Sequence, residues 1–496
     1  MSNRTASTGH GSLATGAVTA LALAVQTGLA AVVGVLIAQK LGRTAATDGF
    51  FAAYGVFILI LLMGYAMRVT MLPTFARARA DGRLGALVAS TVAWLSAIAA
   101  PLVVIGILGA GPIADALTGE GTEVARSTAA DALPWMIVAG TFQVMGGLAA
   151  SALAALDDYT TAAAGFVAGS VAGLALIVTR IGEDGVQAVA WGMTLNGLVA
   201  VTVPALVLVR RARAAGVSGS ALRPRGGAAA TLRLLANGVA LPLALQAIYV
   251  ICLPFASREG EGAVTSFGYA YLLSSAVVAV TASSLGLVTS VPLTRTGLGE
   301  GRVVRHVVSS AWLGVVAIGF TVGVLALAGG TIVEALLGSS YASGTGVEIG
   351  RLVALLSPWA VASVGIAVTF PLLFVHGRGW WLPLLAVVVV VLQIPLAWLG
   401  QTLFGLSGIA LGLALTTGLI LVVMLAALGS AVRVIAGLAV ASAIVGAITL
   451  AAFVLPWALL APVAGAVVGA ALFVVLLAVL RPPPLREAWR YLRALT

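Results

Sequence analysis

One cysteine, three histidines and one lysine occur in 496 residues, and charged side chains of every kind make up only 8% of the chain. The lone Cys252 lies in an apolar run, so no disulfide can close within one chain and a thiolate metal centre is disfavoured. His10, His306 and His376 are far apart in sequence, in a tail or in expected cytoplasmic loops, and suggest no metal triad. There is no Walker-type phosphate loop, which argues against ATP hydrolysis by the chain itself, and no enzymatic signature calls for a cofactor. No aspartate or glutamate falls in the middle of a hydrophobic segment, so a proton relay through a membrane carboxylate has no obvious carrier.

What remains is hydrophobic. Apolar residues make up 61% of the sequence, and runs of about 20 residues, long enough to cross a bilayer, follow one another almost without pause. A soluble domain would carry roughly 25% charged residues. The pattern predicts an all-α polytopic membrane protein and excludes a β-barrel, whose strands are short and alternating. The first segment lacks a small-residue cleavage site followed by a polar domain, so it is expected to be a retained helix. About fourteen spans are expected, centred near residues 25, 60, 97, 144, 169, 197, 243, 277, 316, 362, 390, 416, 442 and 469.

The +10 net charge follows this topology. With both termini in the cytoplasm, 20 of the 26 basic residues fall on the inner side, and 11 of the 16 acids fall on the outer side. This is the positive-inside asymmetry of a cytoplasmic-membrane protein. The basic balance therefore reflects orientation and anionic membrane lipids, and no nucleic acid is needed to explain it.

The stretch 210–233, rich in Arg, Gly, Ala and Ser, is the longest interruption. It divides the chain into an N-terminal lobe (1–210, six helices), a basic linker (211–231) and a C-terminal lobe (232–429, six helices). Two further helices (430–480) and a basic cytoplasmic tail (481–496) follow. Ala53-Tyr54 with Pro73 and Arg77 is matched by Ala270-Tyr271 with Pro292 and Arg295. Six helices per half is an even number, so the halves read as a parallel repeat, an arrangement that places substrate sites at the repeat interface.

Few residues stand out as candidates for substrate contact. Arg68, within about two turns of the cytoplasmic end of the second segment, either snorkels to the headgroups or meets an entering phosphate with its planar fork. Lys40 and Arg43, at the outer end of the first segment, either anchor the interface or receive an anionic headgroup. Thr15, Thr19 and Gln26 share one face of segment one, and Ser274, Thr281 and Ser284 one face of segment eight. These, like Gln143, Asn196, Asn237, Gln246 and Gln393, suit either a wet cavity or hydrogen bonding between helices. Asp157 and Asp158 are expected to end segment four in a turn, with Arg77 or Arg79 as possible partners. Gly165, Gly169 and Gly173, and Gly408 and Gly412, are spaced for close helix contact, and Pro242 marks a bend in segment seven.

The runs Val35-Leu36-Ile37-Ala38, Leu41-Gly42 and Thr47-Asp48-Gly49-Phe50-Phe51-Ala52-Ala53 resemble the start of MurJ/MviN-type lipid II flippases. The stretch from Gly262 to Tyr271, leading to Val291-Pro292-Leu293-Thr294-Arg295, does so as well. That family belongs to the multidrug/oligosaccharidyl-lipid/polysaccharide (MOP) exporter superfamily. The resemblance implies two bundles that open alternately to either side and carry a polyprenyl-diphosphate-linked glycan, lipid II or a relative, with a possible place among cell-envelope synthesis proteins. It leaves the coupling ion open. The family's cavity arginines are not retained: their places hold Thr27 and Val33 in segment one, Gly55 and Leu61 in segment two, and Leu272 in segment eight. The acid that usually follows the second of them is Gly34. Asp48 is the one motif residue that carries over, and the helix dipole alone also favours an acid there. Two alternatives therefore stand beside the flippase: a MATE-like exporter of amphiphilic small molecules, and a transport-inactive scaffold of an envelope-synthesis complex.

Overall fold

The structure is a computed structural model that describes residues 8–214, 228–296, 300–342, 344–375 and 379–493. Among these residues it is helical, with no strand. Helices α1 (Thr8–Leu41), α2 (Ala45–Ala80) and α3 (Leu84–Leu108) are followed by the short α4 (Ala110–Thr118). Then come α5 (Glu123–Ala155), α6 (Tyr159–Asp184), α7 (Val186–Ala214), α8 (Ala228–Ala256), α9 (Ala263–Thr296) and α10 (Glu300–Leu337). The remainder is α11 (Gly344–Leu355), α12 (Ser357–Val375), α13 (Leu382–Ala427), α14 (Ala431–Leu459), α15 (Pro462–Leu480) and α16 (Pro483–Arg493).

Each of the fourteen expected centres falls within a helix. Ten helices among the described residues are long and apolar enough to cross a membrane, or eleven if the bent pair α11–α12 is one span. The chain is a multi-pass membrane protein. Helix α13 holds two of the expected centres and breaks at Gly405, whose φ of 58° and ψ of −139° are non-helical. Glycine adopts such a conformation without a Cβ clash. Past the break the two arms run against each other: a Cβ on Gly408 would strike the Gly400 carbonyl, and one on Gly412 would lie 3.0 Å from the Leu396 carbonyl.

The chain divides into two compact units, Met1–Val250 and Ile251–Thr496, with the division inside α8. Residues 215–227 of the expected linker lie outside the described residues.

In the first unit α5 is the central helix, and from Leu148 to Ala155 every residue is buried. Helices α2 and α7 lie along it, α6 packs on α7, and α1 packs on α6. The close contact expected of the glycines in α6 is made with α7. A Cβ on Gly169 would stand 2.5 Å from the Asn196 carbonyl, one on Gly173 2.5 Å from that of Gly192, and one on Gly165 2.9 Å from the Pro204 ring. Small residues let the two backbones approach, which is how helices gain packing when lipid competes on equal apolar terms. Helix α3 is peripheral and exposes Leu102, Val104, Ile105 and Leu108, a surface suited to acyl chains.

In the second unit α10 is the hub, against which α9, α11, α12, α14, α15 and α16 pack. Its core joins Trp312 and Val315 to Val445, Ile448 and Phe453 of α14 and Phe473 of α15. Ala488 of α16 belongs to the same cluster. The expected basic tail is therefore a packed helix over 483–493.

Candidate functional site

The segment carrying the family resemblance forms the α1–α2 junction. Gly42, at φ 66°, ends α1, with its N–H donating to the Ala38 carbonyl at 3.0 Å. Thr44 then caps α2. The Thr44 N–H donates to Thr47 Oγ1 at 2.8 Å, and the Thr47 N–H returns to Thr44 Oγ1 at 3.4 Å, a reciprocal capping box. Asp48 follows in the first turn, buried, where its negative charge meets the positive end of the helix dipole.

Gly49 is required by contact, because a Cβ there would strike the Ala125 carbonyl in the first turn of α5. Phe50 and Phe51 are fully buried and meet edge to face at 5.6 Å, and Tyr54 stacks on Phe50 at 5.7 Å. Every residue from Thr47 to Ala53 is buried. The motif thus wedges the start of α2 against α5. Lys40 is exposed in the last turn of α1, and Arg43 is half-buried in the turn that follows.

Helix α1 shows an open face. Thr27 is exposed and Gln26 half-buried, and a Cβ added at Gly28 or at Gly34 would meet nothing within 4 Å among the described residues. Of the other positions where the resembling family carries arginine, Val33, Leu61 and Leu272 are half-buried and Gly55 is buried. The side chains of Thr15, Thr19 and Arg68 lie outside the described residues, as do those of Asn237 and Ser284.

At the other end of the first unit, four residues from three elements come together. Asp157 takes φ 61° in the α5–α6 turn, and its Oδ2 pairs with Arg79 Nη1 of α2 at 2.5 Å. The same guanidinium nitrogen donates to the Ala155 carbonyl at 2.8 Å. Asp158 caps α6 by accepting from the Thr161 N–H at 3.0 Å, and its Oδ2 pairs with Arg211 of α7 at 2.5 Å. Desolvation pushes the Asp158 carboxyl up, but the Thr161 N–H, the Thr161 and Thr160 hydroxyls and the Arg211 charge outweigh it and hold the group below its ordinary value. Both the expected turn and the expected Arg79 partner are present. Arg211 is an unforeseen partner; 53 residues separate it from Asp158.

In the second unit, Ser274 and Thr281 are both buried in α9. Ser274 donates to the Ala270 carbonyl at 2.8 Å, and Thr281 to the Val277 carbonyl at 2.8 Å. Bonding back to the preceding turn satisfies a hydroxyl where no water is present. Thr369, Thr416 and Thr417 do the same. These donors are thus engaged within their own helices, a third use beside cavity lining and bonding between helices. Pro242 is half-buried within α8, which continues through it. Gln393 of α13 donates through Nε2 to Cys252 Sγ of α8 at 3.2 Å, and both residues are fully buried. His306 lies within α10 rather than in a loop, 2% exposed, with Nδ1 3.0 Å from the Tyr491 hydroxyl of α16. No group of three metal-ligating side chains occurs among the described residues.

No protein-family model matches the chain, and no curated protein matches its sequence. Solved structures do match its fold. The chain is similar to a lipid II flippase MurJ in an inward closed conformation, with TM-score 0.71 and 12% identity over 93% of this chain and 98% of that one. It is similar to a multidrug resistance MATE family transporter of the MOP superfamily in an inward-facing conformation, with TM-score 0.59 and 16% identity over 84% and 95%. A MOP superfamily transporter from Pyrococcus furiosus gives TM-score 0.56 and 15% identity over 86% and 96%. The chain has the all-α polytopic fold shared by MurJ and the MOP-superfamily transporters.

Proposed function

We propose that the protein is a MOP-type flippase that moves a polyprenyl-diphosphate-linked glycan precursor, lipid II or a relative, across the cytoplasmic membrane by alternating access. The observation that supports it most is the likeness to the MurJ fold over 93% of the chain. The buried Asp48–Ala53 wedge agrees with it, since the residues of the sequence resemblance are the ones that seat α2. A diphosphate sugar cannot enter hydrocarbon unaided, and a polar path lowers that barrier without a covalent step.

The proposed substrate contacts are Gln26, Thr27, Lys40, Arg43 and Arg68 in the N-terminal lobe and Ser274 and Thr281 in the C-terminal lobe. Lys40 and Arg43 fit reception of an anionic headgroup where α1 ends. Arg68 fits phosphate entry from the opposite side. Ser274 and Thr281 keep lone pairs able to accept from sugar hydroxyls while their own protons stay on the helix. Asp48 and Pro242 serve architecture, Asp48 as the acid in the first turn of α2 and Pro242 as a bend.

Depleting the protein in its host tests the cargo. The proposal expects the lipid-linked precursor to accumulate on the cytoplasmic side, and unchanged pools would count against it.

A second reading has its own support. Thr27, Val33, Gly55, Leu61 and Leu272 stand where the resembling family has arginines, and such neutral positions suit an amphiphilic small molecule. The Pyrococcus furiosus neighbour, described as having a binding pocket of reverse polarity that suggests a different function, is a precedent for altered cargo on this fold. Drug-efflux assays in a sensitive host separate the two: protection against amphiphilic drugs with unchanged precursor pools favours the exporter.

A further inference from the structure

Helix α16 is short, yet it is built into the second unit and shows a different surface outward. Arg481 ends α15 in a left-handed turn at φ 40°, its N–H donating to the Leu477 carbonyl at 3.1 Å and its Nε to the Ala478 carbonyl at 2.9 Å. The buried Pro482 then starts the next helix, accepting at its carbonyl from the N–H groups of Leu485 and Arg486. Residues three apart share a helix face. Leu485, Ala488 and Tyr491 form the inward one, with Ala488 1% exposed and Tyr491 held by His306.

The outward face carries Arg486, Trp489 and Arg490 at i, i+3 and i+4. All three are exposed, Trp489 by 51%. Exposed Arg305 of α10 acts electrostatically on the Tyr491 phenol, so it adds its charge to this region, and exposed Arg481 lies at the helix entry. Glu487 is the one exposed acid on the described part of α16.

We propose that the outward face of α16, with Arg305 and Arg481, binds anionic phospholipid headgroups at the leaflet where α15 ends. Three observations converge. Only two residues separate the helix from the end of a membrane-crossing helix, which sets it at headgroup depth. Its packing on α10 holds it there, so little ordering entropy remains to be lost on binding. Arginine beside an exposed tryptophan is the composition of an interfacial helix: the guanidinium fork pairs with phosphate, and the indole sits between headgroup and acyl chain. The arginine distribution assigns this end to the cytoplasmic side, where anionic lipid gives a negative surface. The surface works as a fixed anchor for the second unit and is independent of what the protein transports.

The test uses the full-length protein in detergent, titrated with phosphatidylglycerol and with phosphatidylcholine, with bound lipid counted by native mass spectrometry. The wild type should retain phosphatidylglycerol preferentially. The R486Q/R490Q variant should lose that preference by about fivefold per arginine, the equivalent of about 1 kcal/mol for each basic residue near a charged surface. R486K/R490K should keep most of it. R180Q/R258Q, with the same net charge change at the end assigned to the outside, should keep it fully. A preference unchanged in R486Q/R490Q, or lowered equally in R180Q/R258Q, overturns the proposal. Should R486Q/R490Q fail to fold, salt titration of the wild type decides: the preference should fall as salt rises, and a salt-independent preference overturns it. Transport is not measured, so failure here leaves the flippase proposal untouched.

Discussion

Asp158 joins the start of one helix to the far end of the next, 53 residues away: one oxygen caps α6 through the Thr161 N–H at 3.0 Å, and the other holds Arg211 of α7 at 2.5 Å. The carboxylate is 8% exposed, whereas Asp157 beside it is open to solvent. One buried acid thus ties the α5–α6 turn to the end of the sixth expected span.

Asp158→Asn should keep the cap and lose the ion pair, while Asp158→Ala loses both. An N-cap is worth about 1 kcal/mol, so the alanine variant should melt below the asparagine variant, and both below wild type. Arg79→Gln, whose partner Asp157 is 75% exposed, should cost less than either. Thermal unfolding in detergent ranks the four proteins.

The Asp158 carboxyl is held below its ordinary value in the folded protein. Its contribution to stability is therefore fully present above the ordinary carboxylate range near pH 4, and is lost as pH falls through the lowered folded value. Between pH 5 and 8 the Asp158→Asn stability deficit should stay constant. It should shrink only in acid. Melting curves of both proteins from pH 8 down into acid check the sign.

Gly49 and Gly34 should respond in opposite ways to alanine. At Gly49 a methyl meets the backbone carbonyl of Ala125, which cannot rotate away, so α2 and α5 must separate, at a cost of about 1–3 kcal/mol. At Gly34 an added methyl would meet nothing within 4 Å among the described residues, and alanine gains up to about 1 kcal/mol of helix propensity. Folded yield and melting temperature should fall for Gly49→Ala and hold or rise for Gly34→Ala. Loss of stability at Gly34 would contradict the open face of α1.

Cys252 is fully buried against Gln393, so a maleimide should label it only after denaturation. Gln393 Oε1 has no hydrogen-bond partner among the described residues. A half-satisfied amide in an apolar setting contributes little net stability, so Gln393→Met should hold the melting temperature or raise it. A marked drop would mean that the amide does more than bond the thiol.

Much of this fold is legible in the sequence because its strongest signals are physical ones. Apolar runs place all fourteen centres inside helices, and Gly165, Gly169 and Gly173 mark the α6–α7 seam because only a missing Cβ permits that approach. The tight break at Gly405 is nearly silent, since Leu403, Phe404 and Leu406 around it are as apolar as a span. The Arg211 partner of Asp158 and the His306–Tyr491 contact are long-range pairings that no local pattern encodes. The charged neighbours Arg302 and Arg305 suggest a loop for His306, and the docking of α16 is what brings it inside. Ser274 and Thr281 show a further limit: spacing puts them on one face but cannot say that their protons turn back to the helix.

The central claim is transbilayer movement of an anionic glycolipid, and reconstitution tests it most directly. Purified protein in phospholipid vesicles, loaded with a fluorescent polyprenyl-diphosphate sugar on both leaflets, would be exposed to a membrane-impermeant quencher. The account predicts that the protected fraction decays in protein-containing vesicles and persists in empty ones, and that Arg68→Ala and Lys40→Ala/Arg43→Ala slow the decay. A protected fraction that stays as high with the protein as without it would contradict the account.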